Sequence, residues 1–137
     1  MPDCIFCKIL AGQIPAHMIY TNDSAASFLD ISPAAEGHSL VVPKKHYETL
    51  SDIPSEEFKN LMSAVKKVAN AVVASTASTG FNIIQANKPS AGQVVPHVHF
   101  HVVPRKDGDG LQMDFNRKSP TPEQLKSTAG RIRQAIQ

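Results

Sequence analysis

The segment HVHFHVV, residues 97–103, places a histidine at every second position. Successive side chains of a β-strand point to opposite faces of the sheet, so this alternation predicts a strand with one apolar and one histidine-bearing face. We expect Val98, Phe100 and Val102 to enter the core. The histidines on the opposite face are His97, His99 and His101. Because every buried imidazole needs a hydrogen-bond partner, three in a row are hard to explain by a purely structural role.

Two functional interpretations of these histidines are open from the residues alone. Residues i and i+2 of a strand lie about 6.5–7 Å apart at Cα, which permits a catalytic zinc ion held by three imidazoles. In the other interpretation one histidine is a nucleophile, and its neighbours orient it and bind charge. The preceding loop SAGQVV, residues 90–95, favours the nucleophile, because Gly92 and successive backbone N–H groups are typical of a phosphate cradle.

Length and composition are those of one ordinary globular domain, residues 1–137. Of the 137 residues, 42% are hydrophobic and 19% are charged, and the formal net charge is +2. That charge is too small to indicate nucleic acid or an anionic membrane surface as a partner. The apolar runs are shorter than a membrane span, and Asp3 and Cys4 stand where a signal peptide needs other residues. We expect a cytoplasmic protein, nuclear as well if the source is eukaryotic, without nucleic-acid or membrane partners.

Five segments have the composition and spacing of β-strands. They are HMIYTN (17–22), AASFLDI (25–31), HSLVVP (38–43), FNIIQA (81–86) and HVHFHVV (97–103). The first two flank a polar turn at Asn22 and Asp23, as a hairpin would. Since such strands are interrupted by helices rather than alternating with them, the pattern predicts an α+β fold with a mainly antiparallel sheet of about five strands.

Two helices complete this architecture, and a short one is expected near residues 7–10. The first can be capped by Ser55, with Glu56 and Glu57 in its first turn, and its apolar pattern ends before Gly80. The second follows a capping box, TPEQ at 121–124, with proline at the first helical position. It carries one apolar face: Leu125, Ala129, Ile132 and Ile136. The core motifs therefore occupy residues 1–115, and a C-terminal segment with a helix occupies 116–137.

The two cysteines form one Cys4-x-x-Cys7 motif. Thiolates at this spacing can bind one tetrahedral zinc ion, but two of them make only half a site. Two thiols without a metal are the alternative from these residues alone.

Several motifs in one order resemble the histidine-triad (HIT) family of nucleotide hydrolases and transferases, and in particular its Hint branch. They are CIFCKILAGQIPA (4–16), FLDISPAAEGHSLVVPKKH (28–46) and AGQVVPHVHFHVVPR (91–105), which contains the H-φ-H-φ-H-φ-φ signature. The resemblance implies a nucleoside monophosphate site, a histidine nucleophile, and a homodimer whose two sheets join edge to edge into one continuous sheet.

The resemblance implies a catalytic role for four histidines. His99 would attack the α-phosphorus to form a nucleotidyl-histidine intermediate, which water would then cleave. The backbone carbonyl of His97 would fix the tautomer of His99. His101 would hold the phosphate oxygens or the bridging atom of the leaving group, and His38 would support this network.

The resemblance also implies a nucleotide-binding site. Its base and ribose pocket would consist of Ile19, Phe28, Leu29, Asp30 and Ile31. Asp30 could accept hydrogen bonds from both ribose hydroxyls, and the phosphate would meet Gly92, Gln93 and the backbone of Val94. The chain departs from the family at two positions. Val94 replaces a serine or threonine whose hydroxyl assists the leaving group, and Ala86 replaces a sugar-binding Asn or Gln, for which Asn87 could substitute.

Members with a C-x-x-C motif complete a zinc site with two histidines, which here implies four ligands. They are Cys4, Cys7, His46 and His97. Two thiolates and two imidazoles leave no open position, which is typical of structural zinc, so the chemistry itself would need no metal.

We therefore expect a hydrolase that cleaves the P–N bond of purine nucleoside 5'-phosphoramidates, with a purine nucleoside monophosphate as its bound product. Two alternatives remain: a dinucleoside polyphosphate hydrolase, and a nucleotide-binding adaptor whose hydrolysis is incidental. Hydrolysis rates with His99 intact and replaced separate an enzyme from an adaptor.

Overall fold

The computed structural model describes residues 3–113 and 115–137. Residues 1, 2 and 114, which belong to the predicted domain 1–137, lie outside the described residues. No helix formed by the described part of the chain is long and apolar enough to cross a membrane.

The described residues form five strands: β1 (Met18–Thr21), β2 (Ala25–Leu29), β3 (Ser39–Pro43), β4 (Gly80–Ile84) and β5 (Phe100–Arg105). They make one antiparallel sheet in the order β1-β2-β3-β5-β4. This architecture confirms the predicted α+β class, and each predicted strand segment overlaps one observed strand. The strands β1 and β4 form the two edges of the sheet.

One predicted strand is wrong at its N-terminal end. β5 begins at Phe100, so His97 and His99 precede the strand rather than belong to it. The physical reason lies in the backbone bonds of this segment. The His97 N–H donates to the Val95 carbonyl (2.9 Å), and the Val98 N–H donates to the carbonyl of Tyr47 (2.7 Å), which lies in a loop.

Helix α2 (Ser55–Thr76) packs on one face of the sheet and forms the larger core cluster. Its buried side chains recur at helical spacing: Leu61, Ala64, Val65, Val68, Ala69 and Val72. They pack against sheet residues such as Val41, Phe100 and Val102. Ser55 is the first helical residue rather than the predicted cap. Pro54 takes the cap position in an extended conformation without a side-chain cap, and its carbonyl accepts the Phe58 N–H at 2.8 Å.

Helix α1 (Ile5–Leu10) lies on the opposite face and belongs to the second core cluster. That cluster joins Cys4 and Phe6 to Phe28 of β2 and to Leu40 and Val42 of β3. β3 is thus buried on both faces, which explains why its sequence is a nearly continuous apolar run.

Helix α3 (Pro122–Ala135) begins at the predicted capping box, which the structure confirms. The Thr121 side chain accepts the Gln124 N–H at 3.2 Å, and the Gln124 side chain accepts the Thr121 N–H at 2.8 Å. No residue of α3 is buried, so its apolar face does not contribute to the core. Leu125, Ile132 and Ile136 remain 57%, 56% and 71% exposed.

Ala77 follows α2 with φ 52° and ψ 41°, a left-handed conformation that glycine adopts with less strain. Ala77→Gly should therefore raise the free energy of unfolding by about 0.5–1 kcal/mol. The same substitution at exposed Ala71, inside the helix, should lower it by about 0.5–1 kcal/mol. Urea titrations of both variants check the opposite signs. A loss of stability in Ala77→Gly would contradict this account.

Candidate active site and metal cluster

A cavity of about 520 Å³ lies on the α1 face of the sheet. Most of the predicted nucleotide-binding residues line this cavity. They are Phe28, Leu29, Asp30, Ile31, Gly92, Val94, His99 and His101. Residues distant in sequence converge here because the end of β2, the loop before β5 and the start of β5 meet on one face. The cavity is thus bounded by histidines on one side and by apolar side chains on another.

His99 is held in a single tautomer by its backbone neighbour. Its Nδ1 lies 2.7 Å from the carbonyl oxygen of His97, so Nδ1 carries the hydrogen and donates it. Nε2 therefore keeps its lone pair. Burial lowers the pKa of His99, against the smaller raising effects of this hydrogen bond and of Asp30. The ring is neutral at pH 7, and Nε2 can act as a nucleophile.

His38 and His101 form a hydrogen-bonded pair whose protons can also be assigned. The Ala34 N–H donates to Nδ1 of His38 at 3.0 Å, so the hydrogen of neutral His38 is on Nε2. That Nε2 lies 2.9 Å from Nδ1 of His101 and donates to it. His101 consequently carries its own hydrogen on Nε2, where it can donate to a ligand. Burial, then the proximity of His99 and His38, lowers the pKa of His101 to about 4.

Asp30 supplies the negative charge beside this pair. Its Oδ2 lies 3.5 Å from Nε2 of His38 and 4.0 Å from Nδ1 of His101. Its Oδ1 accepts the Ser32 N–H at 2.8 Å, which orients the carboxylate at the edge of the cavity.

Cys4, Cys7, His46 and His97 bring their side chains together into one cluster that could hold a metal ion. The Nδ1 atoms of the two histidines lie 3.2 Å apart. Nδ1 of His97 lies 3.5 Å from Sγ of Cys4 and 3.6 Å from Sγ of Cys7, and Nδ1 of His46 lies 3.4 Å from Sγ of Cys7.

These separations fit a tetrahedral zinc ion. Bonds of about 2.3 Å to sulfur and about 2.0–2.1 Å to nitrogen imply N–N separations of about 3.3 Å and N–S separations of about 3.6 Å. Nε2 of His97 lies 3.0 Å from the Pro43 carbonyl and donates to it, so the lone pair of Nδ1 faces the cluster. The four donor atoms and the hydrogen bond from His97 to the Pro43 carbonyl therefore fit a zinc ion.

Asp30, His38 and His101 form a second group with ligand atoms close together. Here the proton positions oppose a metal. Because the Ala34 N–H donates to Nδ1 of His38, its Nε2 carries a hydrogen and has no lone pair to offer. The group acts instead as a hydrogen-bond network between His38 and His101.

Three predicted nucleotide-binding residues do not reach the cavity. Gln93 is buried, and its side chain accepts the Lys88 N–H and donates to the Glu48 carbonyl, both at 2.7 Å. Asn87 accepts the Leu50 N–H at 2.8 Å and bonds to the Gln85 side chain. Ile19 lies on the edge strand β1 outside the cavity lining. Gln93 and Asn87 thus shape the loop, and Gly92 and Val94 face the cavity.

Helix α1 contributes cavity residues that the sequence reasoning missed. Ile5, Phe6 and Ile9 line the cavity, together with residues 14–16. The i, i+4 spacing of Ile5 and Ile9 around the C-x-x-C motif is the signal that could have identified them.

A family model described as the HIT domain matches residues 11–108, most of the chain. The chain belongs to the HIT family. Relatives from three yeasts are named adenosine 5'-monophosphoramidase; that of Candida albicans is 37% identical, with 94% of this chain and 93% of that protein aligned.

Solved structures of HIT proteins share the fold. The crystal structure of a Streptococcus mutans protein superposes with a TM-score of 0.95 at 39% identity, covering 100% of this chain and 87% of that chain. A zinc-bound histidine triad family protein from Mycobacterium smegmatis superposes with a TM-score of 0.78 at 34% identity, covering 98% and 99%. A bound zinc ion is therefore compatible with this fold.

Proposed function

We propose that this HIT-family hydrolase cleaves the P–N bond of purine nucleoside 5'-phosphoramidates through a nucleotidyl-histidine intermediate on His99. The observation that carries the proposal is the bond from Nδ1 of His99 to the His97 carbonyl. It leaves Nε2 unprotonated in a cavity large enough for a nucleoside monophosphate. The relatives named adenosine 5'-monophosphoramidase support the class of reaction.

The reaction would proceed in two displacements at phosphorus. Nε2 of His99 attacks, a P–N bond to the imidazole forms, and the P–N bond to the amine breaks. Water then cleaves the nucleotidyl-histidine and releases the nucleoside monophosphate. Overall one water molecule supplies the hydroxyl group on phosphorus and the proton on the amine. In the first step the Nε2–H of His101 would donate to a phosphate oxygen or to the bridging nitrogen, which takes up a proton from solvent as the amine leaves. In the second step it would donate to a phosphate oxygen while the attacking water releases a proton to solvent.

The nucleoside would occupy the part of the cavity between α1 and the end of β2. Ile5, Ile9 and Ile31 provide apolar contacts for a purine base. Asp30 has one oxygen committed to the Ser32 N–H, which leaves Oδ2 as the acceptor for ribose hydroxyls.

The charges of the cavity favour a phosphoramidate over a dinucleoside polyphosphate. No lysine or arginine lines the cavity among residues 3–113 and 115–137, and Asp30 adds a negative charge. A polyphosphate leaving group would bring several negative charges without a cationic partner, whereas an amine leaving group brings none.

We further propose that the cluster of two cysteines and two histidines holds structural zinc. Bound zinc would supply a rigid tetrahedral junction between the N-terminal segment and His97, the first of the triad histidines His97, His99 and His101. It would have no open position for a phosphate.

We also propose a homodimer through the edge strand β4, and a cytoplasmic location. Phe81 and Ile83 of β4 are 44% and 38% exposed, and a regular apolar edge strand invites pairing with a second copy.

The nucleophile is tested with His99→Ala. Turnover of an adenosine 5'-phosphoramidate should fall to background. Affinity for adenosine 5'-monophosphate should stay within a few fold of the wild-type value, because Asp30 and the apolar wall of the cavity (Ile5, Ile9 and Ile31) remain. Acid-quench trapping with labelled substrate should label the wild-type protein and the His17→Ala control, but not His99→Ala. Persistent turnover in His99→Ala would exclude the mechanism, and unchanged binding with no wild-type turnover would favour the adaptor.

The metal is tested by chelation and by a Cys4→Ser/Cys7→Ser double variant. Zinc should co-purify at about one ion per chain and be absent from the variant. Because the metal binds only the folded arrangement, its loss should lower the melting temperature by several degrees and reduce turnover without abolishing it. Complete inactivation that zinc reverses would instead indicate a catalytic metal on the three triad histidines.

Val94→Ser tests the departure from the family at the leaving-group side. An added hydroxyl should accelerate cleavage of phosphoramidates with poor amine leaving groups by up to about 10²-fold, and matter less for good ones. Val94→Ala is the control, since it also removes both methyl groups of the valine but adds no hydroxyl donor. Equal effects of the two substitutions along a leaving-group series would show that the hydroxyl has no role.

The dimer is tested with Phe81→Arg, which places a charge on the β4 edge. Sedimentation should show a monomer for this variant and a dimer for the wild type. Met18→Arg, at the exposed β1 edge, should remain dimeric. A dimer that survives Phe81→Arg but not Met18→Arg would assign the interface to the other edge of the sheet.

A further inference from the structure

Helix α1 serves the metal cluster and the cavity at the same time. Cys4 and Cys7 contribute thiol ligands, and the residues between and after them line the cavity: Ile5, Phe6 and Ile9. The helix has only six residues, and helices of that length are not stable by themselves in water. Its position must therefore come from its contacts at the metal cluster and on the sheet.

Phe6 is the side chain through which these contacts meet. It is buried, and its ring packs edge-on against three others. Its ring centroid lies 5.9 Å from that of the metal ligand His97, 5.1 Å from that of the nucleophile His99, and 5.4 Å from that of Phe28 in the cavity wall. Any movement of α1 away from the sheet would disturb all three rings.

The thiols lie at the first turn of α1, next to side chains from elsewhere in the chain. Cys4 is the N-cap, and its Sγ accepts the Cys7 N–H at 3.4 Å. Their partners His46 and His97 come from elsewhere in the chain, so an ion on the cluster would tie α1 to the triad segment from outside. Without it, the packing of Phe6 and Cys4 remains as the main attachment to the sheet.

We propose that α1 makes metal binding and nucleotide binding cooperative, with Phe6 as the positioning residue that carries the coupling. An ion that fixes α1 also fixes the apolar wall that receives the base, so the nucleotide gains affinity. A nucleotide packed against the same wall holds the thiols near their partners, so the metal gains affinity. This inference rests on the proposed nucleotide site and on the fit of the cluster to zinc.

Thermodynamic linkage makes the proposal quantitative. The factor by which zinc raises nucleotide affinity must equal the factor by which nucleotide raises zinc affinity. Couplings between two sites are commonly between about 5-fold and 150-fold, and for a contact this direct we expect a factor of about ten.

The experiment measures both affinities in the full chain. Calorimetry gives the Kd of adenosine 5'-monophosphate for zinc-loaded and metal-free protein. Competition with a chromophoric chelator gives the Kd of zinc with and without saturating adenosine 5'-monophosphate. Neither measurement depends on turnover. Both should show the same tenfold effect in the wild type.

The role of Phe6 is measured in a matched pair of variants. Phe6→Leu keeps an apolar side chain but removes the ring contacts, so the coupling factor should fall towards one. Phe58→Leu makes the same change on the α2 face, where Phe58 packs near Phe100, and should leave the factor unchanged. Equal coupling factors in Phe6→Leu and Phe58→Leu contradict the role of Phe6. The same result is expected if loss of the metal unfolds the chain, because folding alone would then link the binding of the two ligands.

The remaining outcomes separate this inference from the proposed function. Nucleotide that binds zinc-loaded and metal-free protein equally overturns the coupling and leaves the nucleotide site standing. Zinc-loaded protein that does not bind adenosine 5'-monophosphate overturns the nucleotide site, and the coupling with it.

Discussion

The bond between Nδ1 of His99 and the His97 carbonyl, 2.7 Å long, is the interaction on which the site depends. It selects the tautomer that leaves a lone pair on Nε2 of His99, the nucleophile of the proposed mechanism. The residue that accepts this bond is itself fixed at both ring nitrogens, by the Pro43 carbonyl on one side and the cysteine–histidine cluster on the other. In the proposed function the backbone of His97 thus orients the nucleophile, and its side chain belongs to the cluster that could hold a metal ion.

The sheet makes this double role feasible because β3 is buried on both faces. Val41 faces the α2 core, while Leu40 and Val42 face α1, and Leu40 also lines the cavity. The end of β3 presents the Pro43 carbonyl to His97, and the loop that follows brings in His46. The central strand β3 therefore positions the core and the loop that carries His46 of the cluster. It also positions the Pro43 carbonyl, which accepts the hydrogen bond from His97 of the cluster.

Local patterns predicted the strands and the capping box at Thr121, because side-chain periodicity and capping depend on neighbours in sequence. They failed where hydrogen bonds to backbone groups distant in sequence determine the local structure. The Tyr47 carbonyl accepts the Val98 N–H, and β5 begins only after this residue. The Glu48 carbonyl accepts a hydrogen bond from the Gln93 side-chain amide, which therefore does not line the cavity. The proposed ligand role of His46 came from the family resemblance. The apolar face of α3 showed that periodicity predicts a helix without predicting what covers it.

The proton positions in the triad network are the central claim, and long-range ¹H–¹⁵N correlation spectra of the histidine rings measure them directly in zinc-loaded protein at pH 7. We predict hydrogen on Nδ1 of His99, and on Nε2 of His38, His101 and His97. Single histidine replacements would assign the signals. A neutral His99 with hydrogen on Nε2 would leave no lone pair for attack on phosphorus and would contradict the account.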